Sequence, residues 1–172
     1  NKDFKERPRL ITEAKGVYLK NHEGNTQIDA SSGLFCNPLG HGRMEIIDAI
    51  TNQLKTLDYA QPFQQGFGGS FELATRISKH TPGNLNRIFY TICGSTAVET
   101  AIKIAIAYFK AKGEDNRCRF IGRDRGYHGM NIGSLTVGGI LNNVKVFTNI
   151  LMPGVKHMLS LIHISEPTRQ LC

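Results

Sequence analysis

The fold of this chain is decided by one segment, Tyr90-Thr-Ile-Cys-Gly-Ser-Thr-Ala-Val-Glu-Thr-Ala-Ile-Lys-Ile-Ala-Ile-Ala-Tyr-Phe109. The apolar run at residues 88–92 is rich in β-branched and aromatic side chains, which predicts a buried strand. After a tight turn at Gly94, apolar and small residues recur at helical spacing, which predicts a long helix. The segment therefore predicts a strand, a glycine turn and a helix, which is the repeating unit of an α/β fold.

The predicted turn suits an anion. The first N–H groups of a helix have no intrahelical partner and lie at the positive end of the helix dipole. Gly94 has no Cβ that would keep an anion from the backbone, and Ser95 adds a hydroxyl donor. Thr96 and Glu99 have the spacing of a capping box, which would fix the start of the helix. We expect a phosphate seat here, and an ordinary strand-to-helix crossover is the open alternative.

Composition excludes several classes of protein. The chain has 172 residues, 40% of them apolar and 20% charged, which is typical of a globular protein. No apolar run is long enough to predict a membrane span. The formal charge is +7, but the basic residues are scattered and accompanied by acids, so we expect a solvated surface and no nucleic-acid partner. The four cysteines form no C-x-x-C pair, which argues against zinc or a disulfide framework and favours the cytoplasm.

Hydrophobic periodicity and turn residues predict the elements on both sides of the central unit. Upstream, we expect a hairpin at residues 16–29, an irregular loop at 31–43, an amphipathic helix at 44–57, and a helix at 71–79 with Ser70 as its N-cap. Downstream, we expect a strand at residues 117–122, parallel to the strand at 88–92, and a short helix at 131–137 ended by Gly138 and Gly139.

A second glycine-bounded turn, Gly126-Tyr-His-Gly129, follows the predicted strand at residues 117–122. Open α/β sheets bind ligands at the carboxyl ends of their strands. The Cys-Gly-Ser turn would supply a phosphate seat there, and Tyr127 would supply an aromatic plate. Together they suit a flat phosphorylated ligand such as pyridoxal 5'-phosphate.

Several short motifs occur in an order that resembles a known family. They are Gly33-Leu-Phe-Cys36, Gly40-His-Gly-Arg43, Phe71-Glu-Leu-Ala74, Gly94-Ser95, Ala97-Val98, Ala101-Ile-Lys-Ile-Ala105 and Gly126-Tyr-His-Gly129. The chain resembles the class III pyridoxal-phosphate aminotransferases, and within them the β-alanine or ω-amino acid:pyruvate branch. The resemblance covers residues 4–157. It implies an α/β fold, namely the N-terminal part of the fold-type-I PLP-dependent transferases.

The resemblance also implies roles for individual residues. Gly94 and Ser95 match positions that hold the cofactor phosphate, Tyr127 matches the residue that stacks on the pyridine ring, and His128 lies near the cofactor. A structural role for His128 is the open alternative. Phe35 matches an aromatic position that lines the substrate pocket. The implied reaction is amino transfer from an ω-amino acid or amine to pyruvate or a similar 2-oxo acid, in a homodimer.

Two features depart from the family pattern. Cys93 and Thr96 replace a serine and an acid, and the thiol is the poorer hydrogen-bond donor. In the family the Schiff-base lysine and the acid paired with the pyridine nitrogen lie beyond residue 172. Lys103 matches neither position and is expected to be an exposed helix residue. We therefore expect no catalytic residue in this chain and no transaminase activity from it alone.

The resemblance divides the chain into an N-terminal segment at residues 1–60, the first part of the cofactor domain at 61–160, and a tail at 161–172. That tail resembles a translated sequencing adapter, with a genuine short C-terminal segment as the alternative. Two other functions stay open: a pyridoxal-phosphate aminomutase of the same class, and a non-catalytic phosphate-binding or interaction module.

Overall fold

A computed structural model describes residues 2–159. The tail at residues 161–172 lies outside the described residues. The chain divides into two compact units, Asn1–Thr75 and Arg76–Cys172. The predicted domain boundary after residue 60 concerns a larger enzyme and stays a prediction.

The first unit contains a three-stranded antiparallel sheet with the order β1-β2-β3. Its elements are α1 (Lys2–Glu6), β1 (Ile11–Lys15), β2 (Tyr18–Asn21), β3 (Thr26–Ile28), α2 (Met44–Thr56) and most of α3 (Gly68–Ser78). The predicted hairpin is confirmed, because β2 and β3 pair with Tyr18 opposite Ile28. The sheet also includes β1, which pairs with β2 and was not predicted.

The helices of this unit follow the apolar periodicity. Helix α2 ends one residue before the predicted boundary. Helix α3 begins at Gly68, so Ser70 lies in its first turn and the predicted N-cap is wrong. The N–H of Ser70 donates to the carbonyl of Phe67 at 3.1 Å, which closes a turn before the predicted start.

The second unit is built on the long helix α4 and a pair of parallel strands. Its elements are α4 (Gly94–Ala111), β4 (Phe120–Arg123), α5 (Ile132–Val137), α6 (Leu141–Val144), a 3₁₀ turn (Thr148–Ile150) and β5 (Val155–Met158). Strand β4 pairs in parallel with β5, with Phe120 opposite Val155. Among the described residues few side chains are buried, and they centre on α5: Ser134, Leu135 and Thr136 are buried there, and Ile102 is buried on α4.

The strand predicted at residues 88–92 is wrong. Within residues 2–159 this segment forms no strand, and the side chain of Ile92 is 95% exposed. A strand exists only where a neighbour completes its ladder of hydrogen bonds, and no described strand pairs with this segment. The predicted strand at 117–122 is confirmed with shifted ends, but its parallel neighbour is β5 rather than the segment at 88–92.

The short helix predicted at residues 131–137 is confirmed as α5, and Gly138 is its C-cap. The irregular loop predicted at residues 31–43 also stands, because no helix or strand is assigned there. Within the described part of the chain, no helix is both long enough and apolar enough to cross a lipid bilayer.

Candidate functional site

The N-terminus of α4 is open toward an approaching group. Cys93 is the N-cap in an extended conformation, and the N–H of Ala97 donates to its carbonyl at 3.0 Å. A Cβ added to Gly94 would meet no atom within 4 Å. The first N–H groups of the helix therefore face space that Gly94 leaves free.

The predicted capping box of Thr96 and Glu99 is wrong. The helix begins at Gly94, so Thr96 lies in the first turn and is not the N-cap. The Glu99 carboxylate accepts instead from the N–H groups of Gly133 and Ser134, at 2.9 and 3.1 Å. The spacing of the two residues matched a capping box, but tertiary contacts give Glu99 other donors.

The second predicted turn lies in the loop that follows β4. Backbone hydrogen bonds hold the first residues of this loop in place. The N–H of Arg125 donates to the carbonyl of Gly139 at 3.0 Å, and the N–H of Gly139 donates to the carbonyl of Gly126 at 2.8 Å. The N–H of Gly126 also closes a tight turn on the carbonyl of Arg123 at 3.0 Å. The loop is therefore tied at its start to the segment that follows α5.

The structure brings the two predicted turns together. The N–H of Met130 donates to Ser95 Oγ at 3.0 Å. Gly129 has a φ of +126°, and a Cβ on it would lie 2.5 Å from Ser95 Oγ and 2.7 Å from Ser95 Cα. Only glycine permits this approach of the loop to the start of α4.

Tyr127 and His128 lie in this loop between Gly126, whose carbonyl accepts from the N–H of Gly139, and Gly129. Both side chains are exposed, and that of Tyr127 is exposed over 60% of its surface. An exposed tyrosine ring in this loop is free to stack on a ligand. The roles assigned to Tyr127 and His128 stay predictions.

Cys93 contributes an exposed thiol to the same turn. Its Sγ lies 3.4 Å from Thr96 Oγ1, and this hydroxyl lowers the pKa of the thiol below its ordinary value of 9.0. A hydrogen bond to the thiolate favours the charged form. The Cys93 thiol is therefore more acidic than an ordinary cysteine thiol.

Lys103 lies on the exposed surface of α4, as predicted. It follows Ser95 by eight residues, which is about 12 Å along the helix axis. Within residues 2–159, no group of histidine, cysteine and acidic side chains is arranged to hold a metal ion.

Phe35 lies in the first unit, in the loop after β3, and its side chain is 86% exposed. Its φ is +67°, and Ser32, Gly33 and Leu34 also have positive φ values. Four successive residues therefore adopt a left-handed turn, which is unfavourable for side chains other than glycine. The role of Phe35 in a substrate pocket stays a prediction.

Asp29 holds this turn in place, and its role was missed from the sequence. Its carboxylate accepts from the N–H of Gly33 at 2.7 Å, from the hydroxyl of Ser31 at 3.1 Å, and lies 3.3 Å from His41 Nε2. Partial burial raises the pKa of Asp29, but the hydrogen bonds from His41, Ser31 and Gly33 outweigh it and lower the pKa below 3.8. A general signal was available, because an aspartate in a turn-rich segment often accepts from the backbone N–H two residues on, as Asp29 Oδ1 does from the N–H of Ser31 at 3.3 Å.

The donors of the second unit fit a phosphorylated aromatic ligand. The open N-terminus of α4 offers backbone N–H groups, and Gly94 leaves room beside them. Ser95 Oγ accepts from Met130, so its own proton is left to donate to an anion. Tyr127 offers an exposed ring in the adjoining loop.

Comparison with known proteins gives one consistent result. The sequence model of the family described as Aminotransferase class-III matches residues 2–170. The omega-aminotransferase of Caulobacter vibrioides is 42% identical over 92% of this chain and 36% of its own length. The omega-amino acid--pyruvate aminotransferase of Pseudomonas putida is 45% identical over 86% of this chain and 33% of its own length.

The solved structures that resemble this chain are aminotransferases as well. An (S)-enantioselective omega-transaminase from Thermomicrobium roseum superposes with a TM-score of 0.87 and 29% identity, over 92% of this chain and 36% of that one. The omega-transaminase of Pseudomonas jessenii in complex with PMP also gives a TM-score of 0.87, with 28% identity, over 92% of this chain and 35% of that one. The chain has the fold of the matching part of these enzymes and spans about a third of the length of its curated relatives.

Proposed function

The chain belongs to the class-III aminotransferase family, and we propose that it is part of a longer pyridoxal-phosphate-dependent aminotransferase. The proposed reaction moves an amino group from an ω-amino acid or amine to pyruvate or a similar 2-oxo acid. The observation that carries the proposal is the hydrogen bond from Met130 to Ser95, which joins the anion-binding end of α4 to the loop that bears Tyr127.

Each proposed cofactor residue has a physical task. The N–H groups at the start of α4 and the Ser95 hydroxyl hold the phosphate, where the helix dipole favours negative charge. Gly94 keeps the backbone accessible, and Tyr127 limits the tilt of the ring by stacking on it. When bound, pyridoxal phosphate supplies an electron sink for the amino transfer. His128 follows Tyr127 in the same loop and is proposed to lie near the bound cofactor.

Substrate choice is proposed from the relatives and from Phe35. Two relatives are named for ω-amino acid or β-alanine transfer to pyruvate, at 45% and 42% identity. Phe35 would give the substrate pocket an aromatic wall that lacks a polar atom. We also propose that the longer protein is a homodimer, as the resemblance implies, and that it is cytoplasmic, as the cysteine pattern favours.

The Schiff-base lysine and the acid that pairs with the pyridine nitrogen are proposed to lie beyond residue 172. Lys103 is a poor substitute for the Schiff-base lysine, because it lies about 12 Å from Ser95 along the axis of α4 and its side chain is exposed. The isolated chain is accordingly proposed to be inactive.

The test begins with the gene. Sequencing past the codon for His157 is expected to give one reading frame that continues to an aspartate and a lysine. The complete protein, loaded with pyridoxal phosphate, is then incubated with β-alanine and pyruvate, and alanine is measured. Formation of alanine that requires both the cofactor and pyruvate supports the proposal. A complete protein that binds pyridoxal phosphate but transfers no amino group from β-alanine or from a panel of amines would overturn it.

A further inference from the structure

We propose that Glu99 is a positioning residue that holds the Tyr127 loop against the phosphate-binding end of α4. The proposal rests on the proposed function only for the identity of the ligand. Its geometric basis is a set of contacts between α4 and the start of α5.

Glu99 caps a helix other than its own. Its two carboxylate oxygens accept separately from the N–H groups of Gly133 and Ser134, at 2.9 and 3.1 Å. The N-cap of α5 is Asn131, whose side chain makes no capping hydrogen bond. The carboxylate of Glu99 therefore satisfies the second and third N–H groups of α5 and brings a negative charge to its positive end.

Packing makes this contact specific. A Cβ on Gly133 would collide with the Glu99 carboxylate, so only glycine lets the acid reach the backbone there. Gly133 and Ser134 are both buried, which removes water as a substitute partner for their N–H groups. Loss of the acceptor would leave buried donors unsatisfied, which costs more than the loss of an exposed hydrogen bond.

Ser95 and Glu99 act from one face of α4, because they are four residues apart in the helix. Ser95 accepts from Met130, and Glu99 accepts from Gly133 and Ser134. We call these three hydrogen bonds the α4–α5 clasp. The clasp fixes the segment at residues 130–134 against the helix whose first turn holds the phosphate.

The Tyr127 loop leads directly into the clasp, with two residues between Tyr127 and Met130. Its other end is tied to Gly139 by Arg125 and Gly126. Fixing both ends limits the positions that the Tyr127 ring can take. Glu99 thus acts on the cofactor through Tyr127, without touching it.

The test uses the complete protein with three variants. Glu99→Gln keeps the size of the side chain but replaces one acceptor oxygen by an N–H₂ donor that opposes a backbone N–H. Gly133→Ala places a methyl group where the carboxylate lies. Lys103→Gln is the matched control, because it removes one charge from an exposed position one turn further along the same helix.

Three quantities are measured: amide hydrogen exchange at residues 125–137 in the protein without cofactor, the Kd for pyridoxal phosphate, and the visible circular dichroism of the saturated protein. We expect Glu99→Gln and Gly133→Ala to exchange faster at residues 125–137, to raise Kd about tenfold, and to change the dichroism. We expect Lys103→Gln to match the parent in all three. Should Glu99→Gln fail to fold, Gly133→Ala and Glu99→Asp are read by the same criteria.

Parent-like exchange and parent-like Kd in folded Glu99→Gln would overturn the proposal. A lower melting temperature with unchanged Kd and dichroism would also overturn it, because that result describes a purely structural cap. Failure of the proposed function is recognised separately, since the parent itself would then not bind pyridoxal phosphate, while the exchange measurement would still report on the clasp.

Discussion

Ser95 Oγ accepts a hydrogen bond from the N–H of Met130 at 3.0 Å, across 35 positions of sequence. This contact gives the serine two tasks at once. Its lone pair holds the loop that carries Tyr127, and its proton is left to donate to an anion at the start of α4. The start of α4 and the loop that carries Tyr127 are therefore joined through a single hydroxyl group.

Ser95→Ala in the complete protein is expected to raise the Kd for pyridoxal phosphate by about tenfold or more, because a hydrogen bond to a charged group is lost. Pyridoxal, which lacks the phosphate, is the matched ligand control and is expected to show a much smaller change. Fluorescence titration of both ligands checks the prediction. Equal losses for the two ligands would show that Ser95 only supports the loop and makes no phosphate contact.

Tyr127 is expected to act through its ring and not through its hydroxyl. Tyr127→Phe should bind pyridoxal phosphate like the parent, whereas Tyr127→Ala should lose about 1 kcal/mol, which is roughly fivefold in Kd. The same titration measures both variants. An equal loss in Tyr127→Phe would contradict stacking and point to a hydrogen bond from the phenol.

The local sequence pattern correctly predicted those elements whose hydrogen bonds join residues that are close in the sequence. Helix α2 and the hairpin of β2 and β3 were predicted within a residue or two, because periodicity and turn residues determine them. The prediction of a strand at residues 88–92 was wrong because a strand forms only beside a partner strand, and the local sequence pattern does not determine where that partner lies. Strand β5 was missed for the same reason, since its partner β4 lies more than 30 residues earlier.

In the candidate site, too, the local sequence predicts some features and does not predict the contacts between distant residues. The sequence singled out Gly94, Ser95 and Tyr127, and the structure joins Ser95 to the loop that carries Tyr127, whereas their roles in cofactor binding stay predictions. The sequence did not reveal that Met130 joins them, because a backbone N–H carries no residue-type signal. We interpreted Glu99 as part of a capping box at the start of its own helix, because its spacing from Thr96 fits one. In the fold, its carboxylate instead accepts from two N–H groups at the start of α5.

Asp29 is expected to stabilise the left-handed turn before Phe35 in a pH-dependent manner. Because its pKa is lowered on folding, its contribution is present above the ordinary value of 3.8 and is lost as pH falls through the folded pKa. The difference in melting temperature between the parent and Asp29→Asn should therefore be largest near neutral pH and shrink in acid.

Thermal unfolding of the complete protein between about pH 7 and pH 3 measures this difference. Asp48→Asn, which changes an exposed acid on α2, is the control and should follow the parent. A constant difference between parent and Asp29→Asn across the whole range would contradict the role of the Asp29 charge.

Cys93 is expected to react with iodoacetamide at lower pH than an ordinary thiol. The Thr96 hydroxyl lowers its pKa below 9.0, so more thiolate is present at a given pH. Thr96→Val keeps the shape of the side chain without the hydroxyl and should shift the half-maximal rate to higher pH. Mass spectrometry of the Cys93 peptide follows the reaction, and identical pH profiles for the two proteins would contradict the assigned cause.

The chain of residues 1–172, expressed alone, is expected to form no alanine from β-alanine and pyruvate. Helix α4 carries two lysines, Lys103 and Lys110, and both are exposed. Few large apolar side chains are buried among the described residues, so the isolated chain should also be unstable or aggregate. The complete protein serves as the positive control, and cofactor-dependent alanine formation by the short chain would refute the expectation.

The central claim is that the first turn of α4 and the Tyr127 loop form two walls of one cofactor site. A crystal structure of the complete protein with pyridoxal phosphate tests it most directly. We predict the phosphate within hydrogen-bonding distance of the Ser95 hydroxyl and the N–H groups that open α4, with the Tyr127 ring stacked on the pyridine. A phosphate bound elsewhere, or a pyridine ring that Tyr127 does not contact, would contradict the claim.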